Sequence, residues 1–137
     1  MRVAPTVLLI LVVFGFHVSA YAQSPAGPRF DGTYRLMSSA KVSETYVAKG
    51  GQSSLCPARI PGPLTVLQGQ ARYTAESGRE VTGTVGPQGE LLMRSVEPGQ
   101  SRPNELKVTG TIDAAGTVRA RQAGFSCSYD FVWQKQL

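Results

Sequence analysis

Residues 81–91, VTGTVGPQGEL, and residues 108–118, VTGTIDAAGTV, are two writings of one pattern, 27 positions apart. In the first, Val81, Gly83 and Val85 fall on one side of an extended chain and Thr82 and Thr84 on the other, the two-residue period of a β-strand. Gly86-Pro87-Gln88-Gly89 interrupts the alternation: proline sets one turn dihedral and the flanking glycines permit positive ones. Leu91 and Met93 then resume it, with Arg94 opposite. In the second copy Val108, Gly110 and Ile112 oppose Thr109 and Thr111, and Val118 and Ala120 oppose Arg119 and Arg121. Asp113 suits the first position of the intervening turn and Gly116 the last. Each copy is a strand–turn–strand hairpin. Gly and Pro recur too often for long helices, and Val, Thr and Tyr are abundant, so the chain is confined to the all-β class. Both copies place a glycine mid-strand, Gly83 and Gly110. Such a glycine weakens a strand unless the strand bends or meets a bulky neighbour there, and the repetition predicts a tightly curled sheet.

A looser third hairpin spans residues 63–75, PLTVLQGQARYTA, with its turn at Gln68-Gly69. A first strand is expected in FDGTYRLM, from Phe30, Tyr34, Leu36 and Met37. The last strand is the clearest: Cys127, Tyr129, Phe131 and Trp133 share one face of CSYDFVWQ, while Ser128, Asp130 and Gln134 share the other, with Val132 the exception. The aromatic row is core. The chain ends four residues later, so this strand must pair with earlier ones. The expected fold is therefore a small antiparallel meander barrel or sandwich of about 7–8 strands with one disulfide. Closure would also hide the sheet edges.

The first 22 residues read as a targeting segment. Arg2 gives a small positive start, residues 7–16 are the apolar run VLLILVVFGF, and Ala20-Tyr21-Ala22 is an A-x-A cleavage signal. Cleavage after Ala22 would leave about 115 residues, one small domain. The remainder divides into a disordered lead-in at 23–29 and a single β-domain at 30–137. No second stretch is apolar enough to span a membrane, so the mature chain is expected to lack a stable membrane anchor. The A-x-A form suits a bacterial periplasm or exterior. In such a compartment the two cysteines, Cys56 and Cys127, are expected to form one disulfide, worth about 4 kcal/mol by loop-closure entropy.

The chemistry of the mature chain is restricted. The single histidine, His17, lies in the leader, which removes imidazole catalysis, Ser-His-Asp triads and imidazole metal sites. Bonded cysteines supply no thiol nucleophile. No acidic residues show metal-loop spacing, and there is no phosphate-binding glycine motif. The sequence calls for no catalytic residue, metal or cofactor. The net charge of +5 comes from scattered Arg and Lys without interleaved aromatics, which argues against a nucleic-acid surface.

One stretch reads as loop rather than strand: residues 43–63, SETYVAKGGQSSLCPARIPGP. Long loops in compact domains are usually functional or disordered; the Cys56 anchor favours order in the second half. Tyr46, Lys49 and Arg59 are its candidate contact residues.

The motifs FDGTY, LTVLQG, the paired TGT[VI] hairpins and the terminal CSY resemble those of a group of short exported proteins of alphaproteobacteria, over residues 30 to about 133. The resemblance implies a bacterial, exported, β-rich domain and brings no catalytic or binding residue with it. The functional expectation is a non-enzymatic binding or interaction module for an envelope polymer, a protein or a small ligand. The rival classes are a structural or protective envelope component with no discrete ligand, and a hydrolase using two carboxylates that meet in space.

Overall fold

The structure, a computed structural model, describes residues 28–95, 105–124 and 126–137. The expected leader, its cleavage site and residues 23–27 of the lead-in lie outside them. Described chain begins with a 3-10 turn at Pro28–Phe30, so Phe30 belongs to a turn and the first strand starts at Gly32. Ten strands follow: β1 (Gly32–Lys41), β2 (Thr45–Val47), β3 (Ser53–Leu55), β4 (Leu64–Leu67), β5 (Gln70–Thr74), β6 (Glu80–Val85), β7 (Glu90–Ser95), β8 (Leu106–Ile112), β9 (Thr117–Ala123) and β10 (Ser128–Lys135).

Eight of these close an antiparallel barrel in the order β1-β10-β9-β8-β7-β6-β5-β4. From β4 to β10 each strand pairs with its neighbour in sequence, and β1 closes the ring by pairing with both β10 and β4. The fold is thus a meander barrel, not a sandwich. Stretch 43–63, expected to hold no strand, contains β2 and β3, which pair as a separate hairpin. The pattern was missed because three-residue strands are too short to show a period.

The alternation in sequence is the alternation in burial. Val81 and Val85 on β6, Leu91 and Met93 on β7, and Val118 and Ala120 on β9 face inward. On β10 Tyr129, Phe131 and Trp133 are buried, Trp133 completely. Trp133 meets Phe131 edge-on with ring centroids 5.2 Å apart, and Tyr73 at 5.5 Å. On β1 the register with β10 shifts between Leu36 and Ser38, and Met37, at the shift and next to the inward Leu36, faces solvent. The mid-strand glycines mark close approach: a Cβ at Gly83 would strike the backbone of Leu92 and Met93, and one at Gly110 that of Arg119 and Ala120. Their strands coil past these neighbours too tightly for a side chain.

The two ends of the barrel differ. One gathers the three hairpin turns. Gln68 and Gly69 both have positive φ (51° and 76°), the two-residue turn whose twist matches paired strands. The turns at 86–89 and 113–116 each finish on a left-handed glycine, Gly89 (φ 92°) and Gly116 (φ 76°). The carbonyls of Gly69, Gly89 and Gly116 accept the N–H groups of Val85, Ile112 and Lys135, each at 2.8 Å, so each turn is bonded to the end of the next hairpin. Phe30 plugs this end at 3% exposure. It is held by Tyr34 Oη donating to its carbonyl at 2.6 Å and by the Arg29 guanidinium 4.4 Å over its ring.

Candidate functional site

The opposite end is formed by the ends of β1, β5, β7 and β9 and the starts of β6, β8 and β10. Here the ring is incomplete. β4 has four residues and pairs only with Gly32–Tyr34 of β1, so the upper half of β1 lacks a strand on that side. Residues 56–63, CPARIPGP, run as a strap in its place. Prolines remove the N–H groups a ladder would need, so the strap is fastened at single points. Cys56 is bonded to Cys127, with Cα atoms 5.8 Å apart. Tyr129 Oη donates to the Pro57 carbonyl at 2.8 Å and Trp133 Nε1 to the Gly62 carbonyl at 3.1 Å. Ser39 Oγ donates to the Arg59 carbonyl, Ile60 N–H to Glu76 Oε2 at 3.3 Å, and Gly62 N–H to the Thr74 carbonyl at 2.9 Å. The disulfide joins strap and last strand as the cysteine count implied, and it suits an oxidising, extracellular-type environment.

Between strap and barrel lies a cup of about 340 Å³. Its apolar surface comes from Pro57, Pro61, Ala75, Leu106, Tyr129 and Phe131. Its polar groups are Tyr46 and Arg59 from stretch 43–63, Glu76, Ser77 and Arg79 around the β5–β6 turn, Glu105 at the start of β8, Gln122 on β9, and Ser126. Gln122 is a buried amide in an apolar wall, and its Oε1 accepts the Tyr73 hydroxyl at 2.6 Å. Burial pushes the Tyr73 hydroxyl well above the usual phenol range, so it remains a neutral donor. At the rim, Glu105 pairs with Arg94 (3.3 Å) and Glu76 holds the Ile60 N–H. The Arg59 guanidinium makes no hydrogen bond or ion pair among the described residues, although the residue's carbonyl is held by Ser39.

Of the three loop candidates, Tyr46 and Arg59 line the cup; Lys49 sits in the β2–β3 turn beside Gly50 and Gly51 and does not. Sequence reasoning missed Gln122, although the signal was present: Val118, Ala120 and Gln122 share the inward side of β9, and an amide in that row is a polar group placed where the core should be. Glu76, Ser77 and Arg79 carried no signal, because only barrel closure brings the β5–β6 turn to the strap. Among the described residues no group of three or more His, Cys, Asp or Glu is placed to hold a metal ion, and no helix is long and apolar enough to cross a membrane. A second hollow of about 370 Å³ lies on the wall along β4–β6, lined largely by the exposed Leu67, Gln68, Gln70, Arg72 and Thr82. It borders a single buried side chain, Ala71, and so gives little access to the interior. Comparison with known protein families, with characterised proteins and with solved structures finds no match for this chain.

Proposed function

We propose that the protein is an exported, non-enzymatic binding module of the bacterial periplasm or exterior, and that it holds a small ligand in the cup at the strapped end of the barrel. The observation behind this reading is the asymmetry of the barrel: turns and Phe30 seal one end, whereas the other opens into about 340 Å³ with an aromatic floor and several converging polar groups. Ligand sites in barrels of this strand number lie in such mouths, and the volume falls at the lower end of the small-molecule range. The test is mass spectrometry of small molecules released from protein purified gently from its native host. The wild-type protein should release a compound that Ala75→Trp, which fills the cup, does not. Identical extracts would refute the reading.

The rival with a specific observation behind it is a structural or protective envelope component. Below the cup the barrel is filled by Tyr34, Met93, Phe131 and Trp133, as a barrel with no ligand to hold would be. That reading expects the identical extracts. The two-carboxylate hydrolase has less support, because Glu76 and Glu105, the acids at the rim, are each already engaged.

A further inference from the structure

We infer that the cup takes a small amphipathic anion, an apolar body ending in a carboxylate or similarly acceptor-rich head, and that the Gln122 amide and the Arg59 guanidinium are the donors that select it. The inference rests on the reading of the cup as a ligand site and names the chemistry of what enters it.

The first observation is a half-used amide. Gln122 is 6% exposed, and its oxygen is occupied by the Tyr73 hydroxyl. Its NH2 group has no acceptor among the described residues. No fully buried side-chain nitrogen or oxygen in the described chain lacks a partner, so this NH2 is reached by solvent, and the space that Gln122 lines is the cup. An amide locked through its oxygen by a buried tyrosine presents its donors in one orientation. A buried polar group of this kind favours a ligand that supplies the missing acceptor and disfavours one that leaves it bare.

The second observation is which rim charges are in use. Glu105 is paired with Arg94 and Glu76 is turned to the strap. Of the four charged residues that line the cup, Arg59 is the one whose charged group has no partner among the described residues, on a backbone held by Ser39 beneath it and by the Cys56 and Ile60 attachments to either side. Acids and bases at the rim balance in number, so the discrimination comes from which group is free rather than from net charge. The unpartnered charge and the unpartnered buried amide group are both donors, and the hydroxyls of Tyr46, Ser77 and Ser126, which also line the cup, can donate as well. A carboxylate answers a guanidinium and an amide with charge-assisted hydrogen bonds, while the apolar surface of Leu106, Tyr129 and Phe131 takes the remainder of the molecule.

The test is isothermal titration calorimetry with three probes sharing one alkyl chain: decanoate, decanol and decylamine. Decanoate should bind at least about tenfold more tightly than the other two, the ratio expected from one charge-assisted hydrogen bond, and the margin should shrink in salt. Arg59→Gln and Gln122→Glu should each weaken decanoate about tenfold and leave decanol unchanged. Gln122→Glu keeps an oxygen for Tyr73 while replacing the free NH2 by an acceptor; should that variant unfold, Arg59→Gln, at an exposed position, decides alone. Equal binding of decanol or decylamine, or unaltered decanoate binding in Arg59→Gln, overturns the anion preference and leaves the cup standing as a ligand site. Absence of binding by all three probes overturns the preference and counts against the cup as well.

Discussion

The two ends of this barrel are fastened by different means. At the closed end the turns are two to four residues long, and the carbonyls of Gly69, Gly89 and Gly116 bond to the backbone of the next hairpin, with side-chain bonds such as Gln134 Nε2 to the Ala115 carbonyl (3.0 Å) added to them. At the open end the chain is tied across long sequence separations: 71 residues for the disulfide, 72 for Tyr129 to Pro57, and 71 for Trp133 to Gly62. The glycines repeat the contrast. A Cβ at Gly89 would run into the Ile112 carbonyl and the Phe30 ring, whereas one at Gly78, in the β5–β6 turn, meets nothing within 4 Å. A closed end held mainly by backbone bonds between consecutive hairpins forms largely as those hairpins form. An open end built from side-chain ties depends on the core and on oxidation, and so can vary without dissolving the barrel. A binding site belongs at the end that can vary.

The sharpest break in this comparison is Trp133→Ala. Trp133 lies in the shared core and also holds the strap through its indole N–H, so its loss should loosen both ends together. The expected cost is about 3–5 kcal/mol, against a total of about 5–10 kcal/mol for a domain this size; urea denaturation followed by circular dichroism measures it. The native indole should emit in the blue and resist acrylamide quenching. Ready quenching would show the core assignment to be wrong.

Replacing both Cys56 and Cys127 by Ser should separate the ends. Loss of the crosslink should cost about 2–4 kcal/mol. Hydrogen exchange should rise along 56–63 and at the start of β10, while the Val85, Ile112 and Lys135 amides at the closed end stay protected. Uniform loosening would mean that the ends are not independently fastened.

A smaller effect separates the two glycines. Gly78→Ala meets only the cost of a left-handed alanine, about 1 kcal/mol. Gly89→Ala meets that cost and the Ile112 carbonyl, and should be less stable than Gly78→Ala by about 1–3 kcal/mol. Equal melting temperatures would remove the packing difference between the ends.

The smallest effect belongs to the outer wall. Arg121 grips Asp130 through two hydrogen bonds, at 2.7 and 2.8 Å, and these hold the Asp130 carboxyl below the usual carboxylate range. Because the folded-state value is the lower one, the stabilisation is complete above the ordinary carboxylate range and is lost as pH falls through the depressed value. The pair is exposed, so the effect is slight. Asp130→Asn should melt slightly below wild type at neutral pH and level with it in strong acid. A gap that persists in acid would assign the difference to packing rather than charge.

The sequence by itself determined whatever depends on neighbours along the chain. The period-two alternation of Val81–Val85 and of Tyr129–Trp133 settled which faces are buried, since a strand allows only two faces. The turns at Gln68-Gly69, 86–89 and 113–116 were legible because proline, aspartate and glycine restrict backbone dihedrals locally. The cysteine count, with the export expected from residues 1–22, named the disulfide. Tertiary structure alone decided barrel rather than sandwich, because the same hairpins build both and only the pairing of β1 with β4 and β10 distinguishes them. It decided that Phe30 plugs one end rather than opening a strand, and that the upper half of β4 is replaced by a strap. It also decided that Tyr46 and Arg59 meet Glu76, Glu105 and Gln122 while Lys49 stands aside. These residues come from four separate parts of the chain, and closing the barrel is what brings them around one cup.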